Sequence, residues 1–82
     1  MRKSIYSHDY RVFLLRLRAA RETAGLSQGQ LARRLKATQS FVSKCERGER
    51  RLDLIEARTW CAALGVRFRE FVAGLEEELQ RG

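Results

Sequence analysis

The chain has 82 residues, 44% of them hydrophobic, and carries 17 Lys/Arg against 10 Asp/Glu for a formal net charge of +7. That length is enough for one small domain, residues 1–82, and no more. No run approaches the ~20 apolar residues of a membrane span. Residues 1–10 hold two basic side chains but no apolar stretch of signal-peptide length, so a cytoplasmic protein is expected. There is no proline and little apolar–polar alternation, which favours an all-α fold. A domain this small buries only about 60% of its unfolded surface, so dimerisation would add stability.

The first helix is expected over residues 9–24. Phe13, Leu14, Leu17, Ala20 and Arg21 share one face at helical spacing, and Gly25 stops it. The second spans residues 28–35. Ser27 and Gln30 form a capping box before it; Leu31, Ala32 and Leu35 point inward, and Gln28, Arg33 and Arg34 outward. The turn Lys36-Ala37-Thr38 follows, and Thr38 can cap a third helix over residues 39–47. Val42 and Cys45 point inward there. Gln39, Ser40, Ser43, Lys44 and Arg47 fall on the opposite face.

The fourth helix begins after Asp53, which makes a second capping box with Glu56. Leu54, Ala57, Cys61 and Leu64 form its apolar stripe, and Gly65 ends it. The fifth covers residues 68–80, with Phe68, Phe71, Val72, Leu75 and Leu79 on one face. Its start is weakly specified, because Arg67 is a poor cap and opposes the helix dipole. A short strand over residues 66–72 is the competing assignment.

Charge is unevenly placed. Residues 1–36 hold a net +7, residues 37–58 a net +1 and residues 59–82 a net −1. A polyanion would be drawn to the N-terminal half, although many basic surfaces are only solvated. Cys45 and Cys61 lie on apolar helix positions with no CxxC, so both are read as reduced core thiols and no metal or other cofactor is expected. His8 has no neighbour of ligand type. No nucleophile–base pair or carboxylate pair suggests catalysis. The third helix lacks the stacking aromatics of an RNA reader.

What remains is a helix presenting an amide, hydroxyls and a cation, the groups that reach base edges in the DNA major groove. Gln39, Ser40, Ser43 and Lys44 are the candidate base readers. Gln39 can bond adenine through two hydrogen bonds, and Lys44 can donate to guanine O6 and N7. Phe41 lies beside them, either against a thymine methyl or filling the gap between the third and fourth helices. Phosphate contacts are expected from Gln28 at a helix N-terminus, from Thr38, and from Arg47, Arg50 and Arg51 in or beside the following loop. Arg21 and Glu46 sit at helix ends that must meet. They form either a bidentate pair or two unrelated surface charges.

Several runs carry a family resemblance: Arg21-x-x-x-Gly25-Leu26-Ser27-Gln28, Leu31-Ala32, Gln39-Ser40, Val42-Ser43, Glu46-Arg47-Gly48 and Ala63-Leu64-Gly65-Val66. Over residues 12–72 the chain resembles the Cro/lambda-repressor type of helix-turn-helix, the XRE family. The resemblance implies a five-helix, lambda-repressor-like fold whose second and third helices form the motif, and a homodimer on double-stranded operator DNA. It implies that Gln28 holds a phosphate, that Gln39, Ser40 and Lys44 face bases, and that Arg21 pairs with Glu46.

Three positions depart from the family pattern. Lys36 replaces a turn glycine, Cys45 an isoleucine or leucine, and Arg67 a small or capping residue. Two-fold pairing would double the bases read. Trp60, Phe71, Leu75 and Leu79 are the expected dimer contacts, Phe68 and Val72 are expected to cover the domain's own core, and Gly74 offers a site for close helix approach across the interface. The leading functional expectation is a transcriptional repressor, since 82 residues leave no room for an activation or ligand domain. The competing one is an antitoxin that also binds a partner protein through the fifth helix or the N-terminal arm.

Overall fold

The computed structural model describes residues 7–81. They form five helices, α1 (His8–Thr23), α2 (Gln28–Leu35), α3 (Gln39–Glu46), α4 (Leu54–Leu64) and α5 (Phe68–Arg81), with no strand among the described residues. The N-terminal arm falls outside them.

Local chemistry accounts for most boundaries. Ser7 Oγ accepts from the Tyr10 amide at 3.1 Å and starts α1 one residue earlier than periodicity implied. Both capping boxes close: Ser27 with Gln30 before α2, and Asp53 with Glu56 before α4. Thr38 Oγ1 accepts from the Phe41 amide at 3.0 Å and starts α3. Gly25 takes a φ of 75°. The amides of Gly25 and Leu26 there close back on the Glu22 and Arg21 carbonyls, satisfying groups a helix end would otherwise strand. At α5 the helical reading prevails over the strand. The Arg67 carbonyl accepts from the Glu70 and Phe71 amides, so the first turn forms without a side-chain cap.

Lys36 ends α2 at φ 58° and ψ 42°, the one non-glycine residue with positive φ among those described. The α2–α3 turn demands a left-handed residue, and a lysine there costs on the order of 1 kcal/mol. The turn still forms because the Lys36 and Ala37 amides bond the Arg33 and Ala32 carbonyls.

The core lies between α1, α2, α3 and α4, with α5 closing it below. Leu17, Leu31, Val42, Cys45, Trp60 and Cys61 are fully buried, and Phe71 reaches the same cluster from α5. This corrects two expected dimer contacts. Trp60 is only 1% exposed and Phe71, edge-on against Phe13 at 6.0 Å, only 6%, so neither presents enough surface to anchor a partner. Leu75 and Leu79 are half-buried.

Two expected core positions face solvent instead. Leu54 is 68% exposed, because it is the first residue of α4 and the apolar stripe runs past the helices that cover it. Val72 is 41% exposed, one position round α5 from the buried Phe71. Gly74 does permit a close approach, but within the molecule. A Cβ there would run into the guanidinium of Arg16, which reaches across from α1 to pair with Glu78 at 2.8 Å.

Candidate nucleic-acid interface

The α3 helix is amphipathic over only eight residues. Val42 and Cys45 are sealed in the core, which turns Gln39, Ser40 and Lys44 outward as an exposed row. Gln39 and Ser40 occupy its first two positions, immediately after the Thr38 cap. Ser43 is half-buried, and its hydroxyl accepts from Arg47. The structure therefore exposes three of the four candidate readers, with no side-chain hydrogen bond to them among the described residues, and holds the fourth against a neighbour.

An ion pair fixes the attitude of α3 against α1. Arg21 Nε and Nη2 donate to the two carboxylate oxygens of Glu46 at 2.7 and 3.1 Å, while Nη1 donates to the Leu26 carbonyl at 2.8 Å. The two side chains are only 9% and 6% exposed. Hydrogen bonding to Glu46 raises the Arg21 pKa further above its already high value. Buried and doubly bonded, this pair locks the end of α3 to the end of α1. Of the two readings left open by spacing, the structural pair is the one observed. Gln28 Nε2 joins it, donating to Glu46 Oε1 at 3.0 Å, so that side-chain amide is committed to orientation within the fold.

The α3–α4 loop holds the remaining cations. Arg47 is bonded to Glu49 at 2.9 and 3.2 Å as well as to Ser43. Arg50 forms a fork on Glu56 at 2.8 and 2.7 Å and lies 5.2 Å over the Phe41 ring. Arg51 sits 4.6 Å over the ring of Tyr10. Thr38 is exposed, its Oγ1 occupied as acceptor but its hydroxyl proton free to be donated. Phe41 is half-buried, 6.1 Å from Trp60, so it fills the gap between α3 and α4 while keeping one edge in solvent.

These features identify a type of module, and comparison with known proteins settles which. The helix-turn-helix family model matches residues 17–71. A solved structure of an "XRE-family like protein" from Pseudomonas syringae pv. tomato str. DC3000 is 43% identical. The match covers 85% of each chain with a TM-score of 0.82. The chain belongs to the XRE-family helix-turn-helix proteins. No curated protein matches it.

As a DNA-binding helix-turn-helix, the molecule has a residue that sequence reasoning missed. Tyr10 lies on α1, far from the motif in sequence, yet its hydroxyl oxygen accepts the Leu52 amide at 3.0 Å. With Arg51 stacked on its ring and Phe13 at 5.4 Å behind it, Tyr10 pins the α3–α4 loop to α1. No local pattern in the sequence relates Tyr10 to Leu52, 42 residues away. Tyr10→Phe leaves that amide without its acceptor and is expected to cost about 1–3 kcal/mol. Urea unfolding would measure this, and an unchanged midpoint would mean the loop is held by other contacts.

Arg33 and Arg34 also separate. Arg33 is exposed, whereas Arg34 Nη1 donates to the Ala63 carbonyl at 2.9 Å and ties α2 to the end of α4. Burial pushes the thiols of Cys45 and Cys61 up to about 11, so both stay protonated at neutral pH.

Proposed function

We propose that this protein is a sequence-specific transcriptional repressor that binds a palindromic operator as a homodimer. The observation that carries the proposal is the exposed row Gln39, Ser40 and Lys44 on a helix whose attitude is set by the buried Arg21–Glu46 pair. A reading helix needs both features: side chains that reach base edges, and a frame that holds them in register. Thr38, Arg47, Arg50 and Arg51 surround the row and would contact phosphates. Gln28 would do so through the amides at the start of α2.

Selection of bound sequences from a random DNA pool tests this directly. An enriched palindrome with half-sites about one helical turn apart is expected. On that site, Gln39→Ala and Lys44→Ala should each cost about 1–3 kcal/mol and relax preference at one base pair. If both variants bind cognate and random duplexes as the parent does, α3 is not the reading element.

Pairing of two copies is supported by an apolar surface on α4. Leu54 and Ile55 are 68% and 66% exposed. Ile55 borders a largely apolar groove of about 230 Å³, lined by Leu35, Phe41, Leu52 and Trp60 among others and also by the charged Glu56. A protruding apolar pair beside an apolar groove suits a two-fold contact, in which each copy supplies both halves. The half-buried Leu75 and Leu79 on α5 are the weaker candidates. Leu54→Lys with Ile55→Lys should give monomers by sedimentation with little loss of fold stability, since neither side chain is covered. Monomers from Leu75→Lys instead would place the contact on α5. An antitoxin would use the same patch for a different protein, and a purified chain that stays monomeric both free and on DNA would favour that alternative.

A further inference from the structure

Two of the loop arginines already hold an anion in the geometry a phosphate would take. Arg47 grips Glu49 through Nε and Nη2, and Arg50 grips Glu56 through Nη1 and Nη2, each as a two-toothed fork on a carboxylate. Guanidinium forks of this kind bind carboxylate and phosphate interchangeably. We propose that Glu49 and Glu56 are built-in competitors for DNA phosphate, which weaken attachment to every sequence alike and leave retention on DNA to the base contacts. The proposal rests on the reading above, in which the α3–α4 loop lies along the DNA backbone.

The physical argument is one of exchange. A free arginine that docks on DNA neutralises a phosphate and releases a condensed cation, and that release drives non-specific binding. An arginine that must first leave a carboxylate gains less, because the abandoned carboxylate regains its own solvent and counterions. Phosphates are the same in every sequence, so the loss falls on all sites equally. Gln39 is uncharged and Lys44 forms no ion pair among the described residues; the Lys44 charge acts on Glu49 only from a distance, so the base readers are taxed less than the two arginines.

Both carboxylates are well suited to the part. Glu56 is held down to about 2, first by the Arg50 hydrogen bond and then by the Asp53 amide, so it stays ionised at any physiological pH. Glu49 is lowered in the same way by Arg47. The pairs are exposed at the surface and contribute little to folding. Removing them should therefore register on DNA binding and not on thermal stability.

The test uses Glu49→Gln, Glu56→Gln and the double variant in the full chain. Glutamine can replace glutamate in the capping box with Asp53, so Glu56→Gln removes the charge and keeps the start of α4. Fluorescence anisotropy on the selected operator and on a scrambled duplex, over a range of salt concentrations, gives affinity and salt slope. Each single variant should tighten binding to both duplexes by a similar factor, about 2- to 5-fold, and steepen log K against log salt by up to about 0.9. Arg50→Ala should then weaken the Glu56→Gln protein more than it weakens the parent.

Glu77→Gln, on the exposed face of α5 away from the loop, controls for net charge alone. Equal tightening by Glu77→Gln would overturn the proposal, as would unchanged or weaker binding by the Glu49 and Glu56 variants. A parent protein that binds neither duplex would instead defeat the DNA-binding reading itself, and that result is distinguishable from the others.

Discussion

Glu46→Ala is expected to be the most damaging single substitution in the motif, lowering stability by about 3–5 kcal/mol. The carboxylate receives three donors, two from Arg21 and one from Gln28. Its loss leaves the Arg21 guanidinium charged, almost wholly buried, and bonded only to the Leu26 carbonyl. Arginine cannot escape the cost by deprotonating, since its pKa lies far above neutral. A small domain has about 5–15 kcal/mol in all, so this one change could consume a third or more of it. Thermal unfolding followed by circular dichroism would show the loss, at about 4–8 °C for each kcal/mol.

Two companions separate charge from packing in that experiment. Glu46→Gln keeps one acceptor oxygen, turns an NH2 donor toward the other donors and removes the charge, so it should fall between parent and Glu46→Ala. Arg21→Met combined with Glu46→Leu removes both ions and should be less harmful than Glu46→Ala alone, because no unpaired charge is left behind. A melting temperature for Glu46→Ala within a degree or two of the parent would show that the pair does not lock α1 to α3.

Trp60→Ala should cost a comparable amount, about 3–5 kcal/mol, from lost burial and the cavity left behind. Trp60 is among the largest fully buried side chains and stands behind Phe41, 6.1 Å away, at the back of α3. Its removal undermines the support of α3 as well as the core. The indole Nε1–H has no acceptor among the described residues, and a buried unmet donor is itself destabilising. Trp60→Phe should therefore cost distinctly less than the difference in ring size implies. Urea unfolding of both variants measures the contrast. An unchanged oligomeric state in Trp60→Phe would fit a core residue, whereas loss of dimer without loss of stability would return Trp60 to an interface.

The family, the five helices and the exposed polar row of α3 are legible in the amino acids themselves, and the reason is locality. A capping box needs a hydroxyl or carboxylate and a glutamine or glutamate three residues apart, so Ser27 with Gln30 and Asp53 with Glu56 announce two helix starts within four residues each. Gly25 and Gly65 end helices because positive φ costs glycine nothing. Val42 and Cys45, three apart, suffice to say which side of α3 is dry. The Arg21–Glu46 pair was open on spacing alone, and only the family resemblance pointed to it.

Other features needed the third dimension. Periodicity lined up Leu54 with Ala57 and Cys61, but not where the covering helices stop, so Leu54 lies in solvent while Trp60, expected at a partner, is enclosed. Tyr10 reaches the Leu52 amide across 42 residues, and no local rule relates the two. Gly74 looked like a gap for another molecule until Arg16 filled it from α1.

By itself the chain of amino acids determined which segments coil, where they end, and which face of α3 is polar, because those properties depend on neighbours within about one helical turn. The tertiary structure alone decided which apolar residues remain uncovered and which distant groups meet, as Arg16 meets Glu78 and Tyr10 meets the Leu52 amide. Both depend on how separate helices are set against one another, and side chains distant along the chain come within hydrogen-bonding reach only once that packing exists.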